Sequence, residues 1–129
     1  MKIEHVAIWV KDIDIVCEFY RKYFGGVIQP LYRNPAKQFT SRFVTFEDGA
    51  RLEVMHRPDI NLILGTMDEE HIGIAHLSFS VSSKEKVDLL TQQMSDEGVP
   101  IVGQPRTTGD GYYESVVLDP EGNRIEITI

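Results

Sequence analysis

The chain repeats itself, and that repeat limits its fold more than any other feature. Ile3-Glu4-His5-Val6-Ala7-Ile8-Trp9-Val10 matches Ile74-Ala75-His76-Leu77-Ser78-Phe79-Ser80-Val81 at an offset of 71. Farther on, Phe43-Val44-Thr45 through Asp48-Gly49-Ala50-Arg51-Leu52-Glu53 matches Val116-Val117-Leu118 through Glu121-Gly122-Asn123-Arg124-Ile125-Glu126 at an offset of 73. One short loop insertion accounts for the drift. Each half opens with an alternating apolar and polar run, the signal of a half-buried strand. A capped helix follows. Asp12 is the first N-cap, with Val16, Phe19, Tyr20 and Tyr23 on one face. Ser82-Ser83-Lys84-Glu85 has capping-box spacing and precedes a Val87, Leu90, Met94 stripe. Gly25-Gly26 and Gly98 end the helices. Short strands with hairpin turns at Asp48-Gly49 and Glu121-Gly122 complete each half.

The expected fold is α+β: two βαβββ modules building a curved mixed sheet. We expect one domain over 1–129, with module 1 at about 1–57, a linker at about 58–72 and module 2 at about 73–129. The linker carries Pro58, the apolar run Ile60-Asn61-Leu62-Ile63-Leu64 and then Asp68-Glu69-Glu70.

Side chains alternate across a strand, so parity assigns faces. Val6, Ile8 and Val10 share one face of the first strand, and His5, Ala7 and Trp9 the other. Leu77, Phe79 and Val81 repeat the apolar face, and His76, Ser78 and Ser80 the opposite one. In the last strand of each half, Glu53 goes with Arg51 and Met55, and Glu126 with Arg124 and Thr128. The apolar faces must pack on the helices, so His5, Glu53, His76 and Glu126 lie on the inner faces. A single strand histidine or glutamate is ordinarily a packed or solvated residue. Here the pair recurs at matched positions in both halves. Two imidazoles and two carboxylates suit a borderline or hard divalent ion.

Composition narrows the function. The net charge is −7, which argues against nucleic acid as a partner, since phosphate recognition needs a basic face. Cys17 is the single cysteine, so no intrachain disulfide forms. No apolar run approaches the roughly 18 residues of a membrane span. The expectation is a cytoplasmic protein with no membrane partner.

The stretches His5-Val6-Ala7-Ile8-Trp9-Val10, Phe19-Tyr20, Phe24-Gly25, Arg51-Leu52-Glu53-Val54, Ala75-His76-Leu77-Ser78-Phe79 and Asp119-Pro120-Glu121-Gly122-Asn123-Arg124-Ile125-Glu126 resemble the vicinal oxygen chelate superfamily, and within it glyoxalase I. The Asp-Pro-x-Gly-Asn turn is the most specific of these. The resemblance implies paired βαβββ modules around one divalent metal, Zn or Ni first, with Co, Mn or Fe as alternatives. It implies His5, Glu53, His76 and Glu126 as ligands, in the order found in bacterial glyoxalase I. It implies lyase or isomerase chemistry on a 2-oxoaldehyde–thiol hemithioacetal or a similar vicinal-oxygen substrate, with Glu126 as main base and Glu53 as its counterpart. After Glu53 the chain reads Val54-Met55-His56-Arg57-Pro58, without the Asn that glyoxalase I uses for glutathione.

Trp9, Met55, Arg51 and Arg124 are candidate substrate contacts. Tyr113 reads better as packing than as pocket wall. Arg33, Lys37 and Arg42 are expected near a loop, His56 and His71 on the surface, and Cys17 on the core side of the helix. Alternative functions are a thiol transferase or extradiol dioxygenase on the same scaffold, or a small-molecule binding protein without catalysis. Those two enzyme branches typically use three ligands, and four buried polar groups without an ion would be costly. The resemblance also implies a homodimer, in which His5 and Glu53 of one chain meet His76 and Glu126 of the other.

Overall fold

The computed structural model describes residues 1–60 and 73–129, so Leu62, Ile63, Leu64 and His71 lie outside the described residues. The chain divides into two compact units, Met1–Leu64 and Gly65–Ile129.

The first unit runs β1 (His5–Trp9), α1 (Ile13–Phe24), β2 (Val27–Ile28), β3 (Tyr32–Asn34), a 3-10 turn (Pro35–Lys37), β4 (Phe39–Thr45) and β5 (Arg51–His56). Its sheet order is β1-β5-β4-β2, with β3 also paired to β4. β1 lies parallel to β5, and the other pairs are antiparallel. The second unit runs β6 (Leu77–Ser80), α2 (Lys84–Asp96), β7 (Ile101–Thr107), β8 (Tyr113–Leu118) and β9 (Arg124–Thr128), in the order β6-β9-β8-β7. The class is α+β, with one mixed sheet in each unit.

Four strands follow α1 where three were expected, and the reason is local. β2 and β3 both pair with β4, so they are one edge strand interrupted at Gln29-Pro30-Leu31. Proline lacks the N–H that a ladder needs, and it breaks or bulges an edge strand. β7, the counterpart, contains Pro105 and stays continuous by shifting register between Gly103 and Arg106.

Both helices form in the expected segments, with the cap and the buried stripe of α2 displaced from the expected residues. Asp12 accepts from the Ile15 N–H at 3.0 Å, and Gly25 closes α1 at φ 66°. Val16, Cys17, Phe19 and Tyr20 are buried, and α1 packs on β4 and β5, whose Val44, Leu52 and Val54 are also buried. The N-cap of α2 is Ser83, which accepts from Lys86 N–H at 3.3 Å. The buried stripe of α2 is Val87, Thr91 and Met94, while Leu90 is only half-buried. Thr91 is tolerated in this core because its hydroxyl bonds Ser115 Oγ and Val87 O, each at 2.6 Å.

Burial alternates along the strands as parity required. Leu52 and Val54 are buried in β5, and Ile125 and Ile127 in β9, with half-buried residues between them. Register then decides what stands beside each ligand candidate. Ala7 pairs with Glu53 and Phe43 with Glu53, while Ser78 and Val116 both pair with Glu126.

Candidate metal centre

Each unit brings one histidine and one glutamate together. In the first, His5 Nε2 lies 3.9 Å from Glu53 Oε2. In the second, His76 Nε2 lies 3.2 Å from Glu126 Oε2. The two pairs share one environment: the carboxylates are 18 % exposed and the imidazoles 42 % and 43 %. β5 and β9 hold the glutamates from the middle of a paired strand, whereas His5 opens β1 and His76 immediately precedes β6.

The donor spacing of the second pair fits cis ligands on one ion. Bonds of about 2.1 Å place adjacent donors about 3.0 Å apart at 90° and about 3.4 Å apart at a tetrahedral angle. The His76–Glu126 pair at 3.2 Å falls inside that range, and the His5–Glu53 pair at 3.9 Å lies beyond it. Within either unit, no third His, Cys, Asp or Glu among the described residues completes a metal cluster.

The turn that delivers Glu126 is built by Asp119, whose side chain is buried. Its Oδ1 accepts from the Glu121 and Asn123 N–H groups, both at 2.9 Å, and its Oδ2 accepts from Asn123 Nδ2 at 2.9 Å. Gly122 takes the positive φ of 84° that the turn demands. The Asp-Pro-x-Gly-Asn sequence is thus a hydrogen-bonded bracket at the entrance of β9.

The other sequence-derived candidates lie in distinct settings. Trp9 is exposed and stands opposite Met55 in register. Phe39 meets its ring edge-on at 6.0 Å, and Tyr32 lies 6.2 Å beyond Phe39. Arg51 does not project freely: it is ion-paired to Glu4, and its guanidinium lies 4.0 Å over Phe43. Arg124 lines a cavity of about 470 Å³ together with His76, Glu126, Val116 and Arg106. Arg106 bonds the nearly buried Glu114 at 3.3 Å.

Phe39, Phe43, Glu114 and Arg106 were missed in the sequence. The available signal was Phe39-x-Ser41-x-Phe43, a period of two on the strand paired with β5. Glu4 was also missed. Its carboxylate accepts from His5 Nδ1 at 2.5 Å. That bond, followed by the one from Arg51, holds the Glu4 carboxyl below the usual carboxylate range.

The remaining residues named from the sequence have these places in the fold. Arg42 lies within β4; it is half-buried and 3.6 Å from Asp14. Arg33 belongs to β3 and Lys37 to the 3-10 turn. His56 is not simply a surface residue, since its Nδ1 bonds Val10 O at 2.9 Å across β1 and β5. Tyr113 is structural: its hydroxyl donates to Asp88 of α2 at 2.7 Å, which raises its pKa. Cys17 is fully buried, and desolvation pushes its thiol up to about 11.

Residues 2–127 match the family model of the Glyoxalase/Bleomycin resistance protein/Dioxygenase superfamily. The chain belongs to this superfamily. Its members commonly bind a divalent metal. Among curated proteins the chain is 24 % identical to the uncharacterized protein YqjT of Bacillus subtilis, covering 97 % of this chain and 96 % of that one. A solved glyoxylase/bleomycin resistance protein/dioxygenase domain from Frankia sp. EAN1pec superposes with a TM-score of 0.82 at 19 % identity, over 100 % of this chain and 97 % of that one. Glyoxalase I from Zea mays superposes with a TM-score of 0.76 at 20 % identity, over 98 % of this chain and 44 % of the maize chain. The superfamily member described here therefore spans less than half of the maize enzyme. At these identities the structural likeness speaks for the fold. No helix among the described residues is long and apolar enough to cross a membrane.

Proposed function

We propose that this protein is a metal-dependent lyase or isomerase of glyoxalase I type, acting on a 2-oxoaldehyde–thiol hemithioacetal or a similar substrate with vicinal oxygens. His5, Glu53, His76 and Glu126 hold one divalent ion, Zn or Ni before Co, Mn or Fe. The observation that carries this reading is the recurrence of one His–Glu pair at equivalent positions of both modules, the two side chains 3.9 Å apart in the first and 3.2 Å apart in the second. When bound, the ion supplies Lewis-acid polarisation of two neighbouring substrate oxygens.

The protein's own groups do the proton work. Glu126 is held by a strand whose entry turn is braced by Asp119, and its half-buried carboxylate takes a proton from one substrate carbon and returns it to the next. Glu53 is its counterpart on the other module. Trp9 and Met55 form an apolar wall on the first module, and Arg124 a polar one on the second. Arg51 contributes through Glu4 and Phe43. The pairs join across a homodimer, His5 and Glu53 of one chain with His76 and Glu126 of the other, in the cytoplasm.

The test is reconstitution with Zn or Ni followed by turnover of methylglyoxal with several thiols. Glu126→Gln keeps an oxygen donor but removes the base. Its turnover should fall by roughly 10²–10⁴-fold, while metal occupancy falls far less. Unchanged turnover at full loading would remove Glu126 as the base, and a wild-type protein that takes up no ion would remove the whole reading.

A further inference from the structure

The two modules are not equivalent at their histidines. Glu4 precedes His5, whereas Ala75 precedes His76. The Glu4 carboxylate takes the His5 Nδ1 hydrogen bond with Oε2, and Arg51 donates from Nη2 to Oε1. These contacts arise from register, because β1 and β5 run parallel with His5 opposite Arg51. Ala75 offers no side-chain acceptor, and among the described residues nothing replaces this chain of contacts behind His76.

We propose that Glu4 is a positioning residue that presets His5 as a metal ligand, making the first module the pre-organised half of the site. This inference rests on the metal reading above. An ionised carboxylate only accepts, so in neutral His5 the proton sits on Nδ1 and the Nε2 lone pair is exposed. This nitrogen lies 3.9 Å from Glu53 Oε2. Two acceptors this close gain nothing unless a cation lies between them. A ligating histidine whose other nitrogen donates to a carboxylate is also fixed in orientation and more basic toward the metal. Arg51 clamps the far oxygen of Glu4, and the His5 and Phe43 rings meet nearly perpendicular with centroids 5.5 Å apart. The chain Arg51–Glu4–His5 thereby orders a half-exposed imidazole before any ion arrives.

Glu4→Gln tests this sharply. Arg51 can only donate, so the amide turns its carbonyl toward Arg51 and its NH2 toward Nδ1. His5 should then switch to the Nε2-protonated form, which is closed to metal. Nitrogen-15 NMR of the metal-free protein reads the tautomer of each histidine. The expected result is an Nδ1-protonated His5 in the wild type and an Nε2-protonated His5 in Glu4→Gln, with His76 unchanged. Zinc titration against a chromophoric chelator should show 10–100-fold weaker binding in Glu4→Gln and in Glu4→Ala. An unchanged His5 tautomer, or zinc affinity within about twofold of a metal-binding wild type, overturns the role of Glu4 alone. If the wild type itself takes up no zinc, the metal reading fails instead, and the tautomer comparison still decides whether Glu4 governs His5.

Discussion

Removing the Asp119 side chain should destabilise the protein by about 2–4 kcal/mol, one of the larger effects available outside the apolar core. The carboxylate is 4 % exposed and makes three side-chain hydrogen bonds, to Glu121 N–H, Asn123 N–H and Asn123 Nδ2. Hydrogen bonds to a charged group contribute about 1.5–3 kcal/mol each. Their sum overstates the loss, since all three share one carboxylate and the orphaned donors sit on half-buried turn residues that water can reach. In Asp119→Ala the turn loses its bracket. Urea unfolding should show the midpoint reduced by roughly 1–2 M at an unchanged m-value. Asp48→Ala is the internal comparison: its exposed carboxylate makes a single described bond, to Gly49 N–H at 2.7 Å, so its loss should be about 0.5 kcal/mol. If Asp119→Ala costs less than about 1 kcal/mol, or no more than Asp48→Ala, then the turn is held by backbone geometry and the reasoning from its hydrogen bonds is wrong.

Two further outcomes follow from the same structure. His5→Ala and His76→Ala should each be inactive alone. Mixed under subunit exchange, a shared-site dimer regains one intact site and thus activity, whereas inactivity with exchange confirmed assigns the site to a single chain. Cys17 should resist alkylation at pH 8 in the folded protein, because burial pushes its thiol from the ordinary 9.0 up to about 11. Burial disfavours the thiolate, so the unfolded chain binds fewer protons above pH 9, and stability should fall as pH rises from about 9 to 11. Cys17→Ala should flatten that part of the pH–stability curve, and an equally steep curve in this variant would point to another group.

Much of this protein was legible in the linear order of its residues. The repeat defined two like modules, the period-two alternation gave Glu53 and Glu126 their faces, and Asp12 with Gly25 marked the ends of α1. These are local properties, set by a residue's own periodicity and its near neighbours. Pairings between distant segments were not legible. Glu4 finds Arg51 only because β1 pairs parallel with β5 in one register, and Phe43 lies beneath His5 only because β4 lies on the other side of β5. Parity left Tyr113 ambiguous until α2 brought Asp88 to its hydroxyl, and it left Arg51 a free cation until Glu4 engaged it. Sequence pattern determined the module and the face of each candidate ligand, since hydrophobic burial fixes a strand's face within a few residues. Tertiary structure alone decided which group stands beside each candidate ligand, because that depends on register, where a shift of one residue exchanges every neighbour.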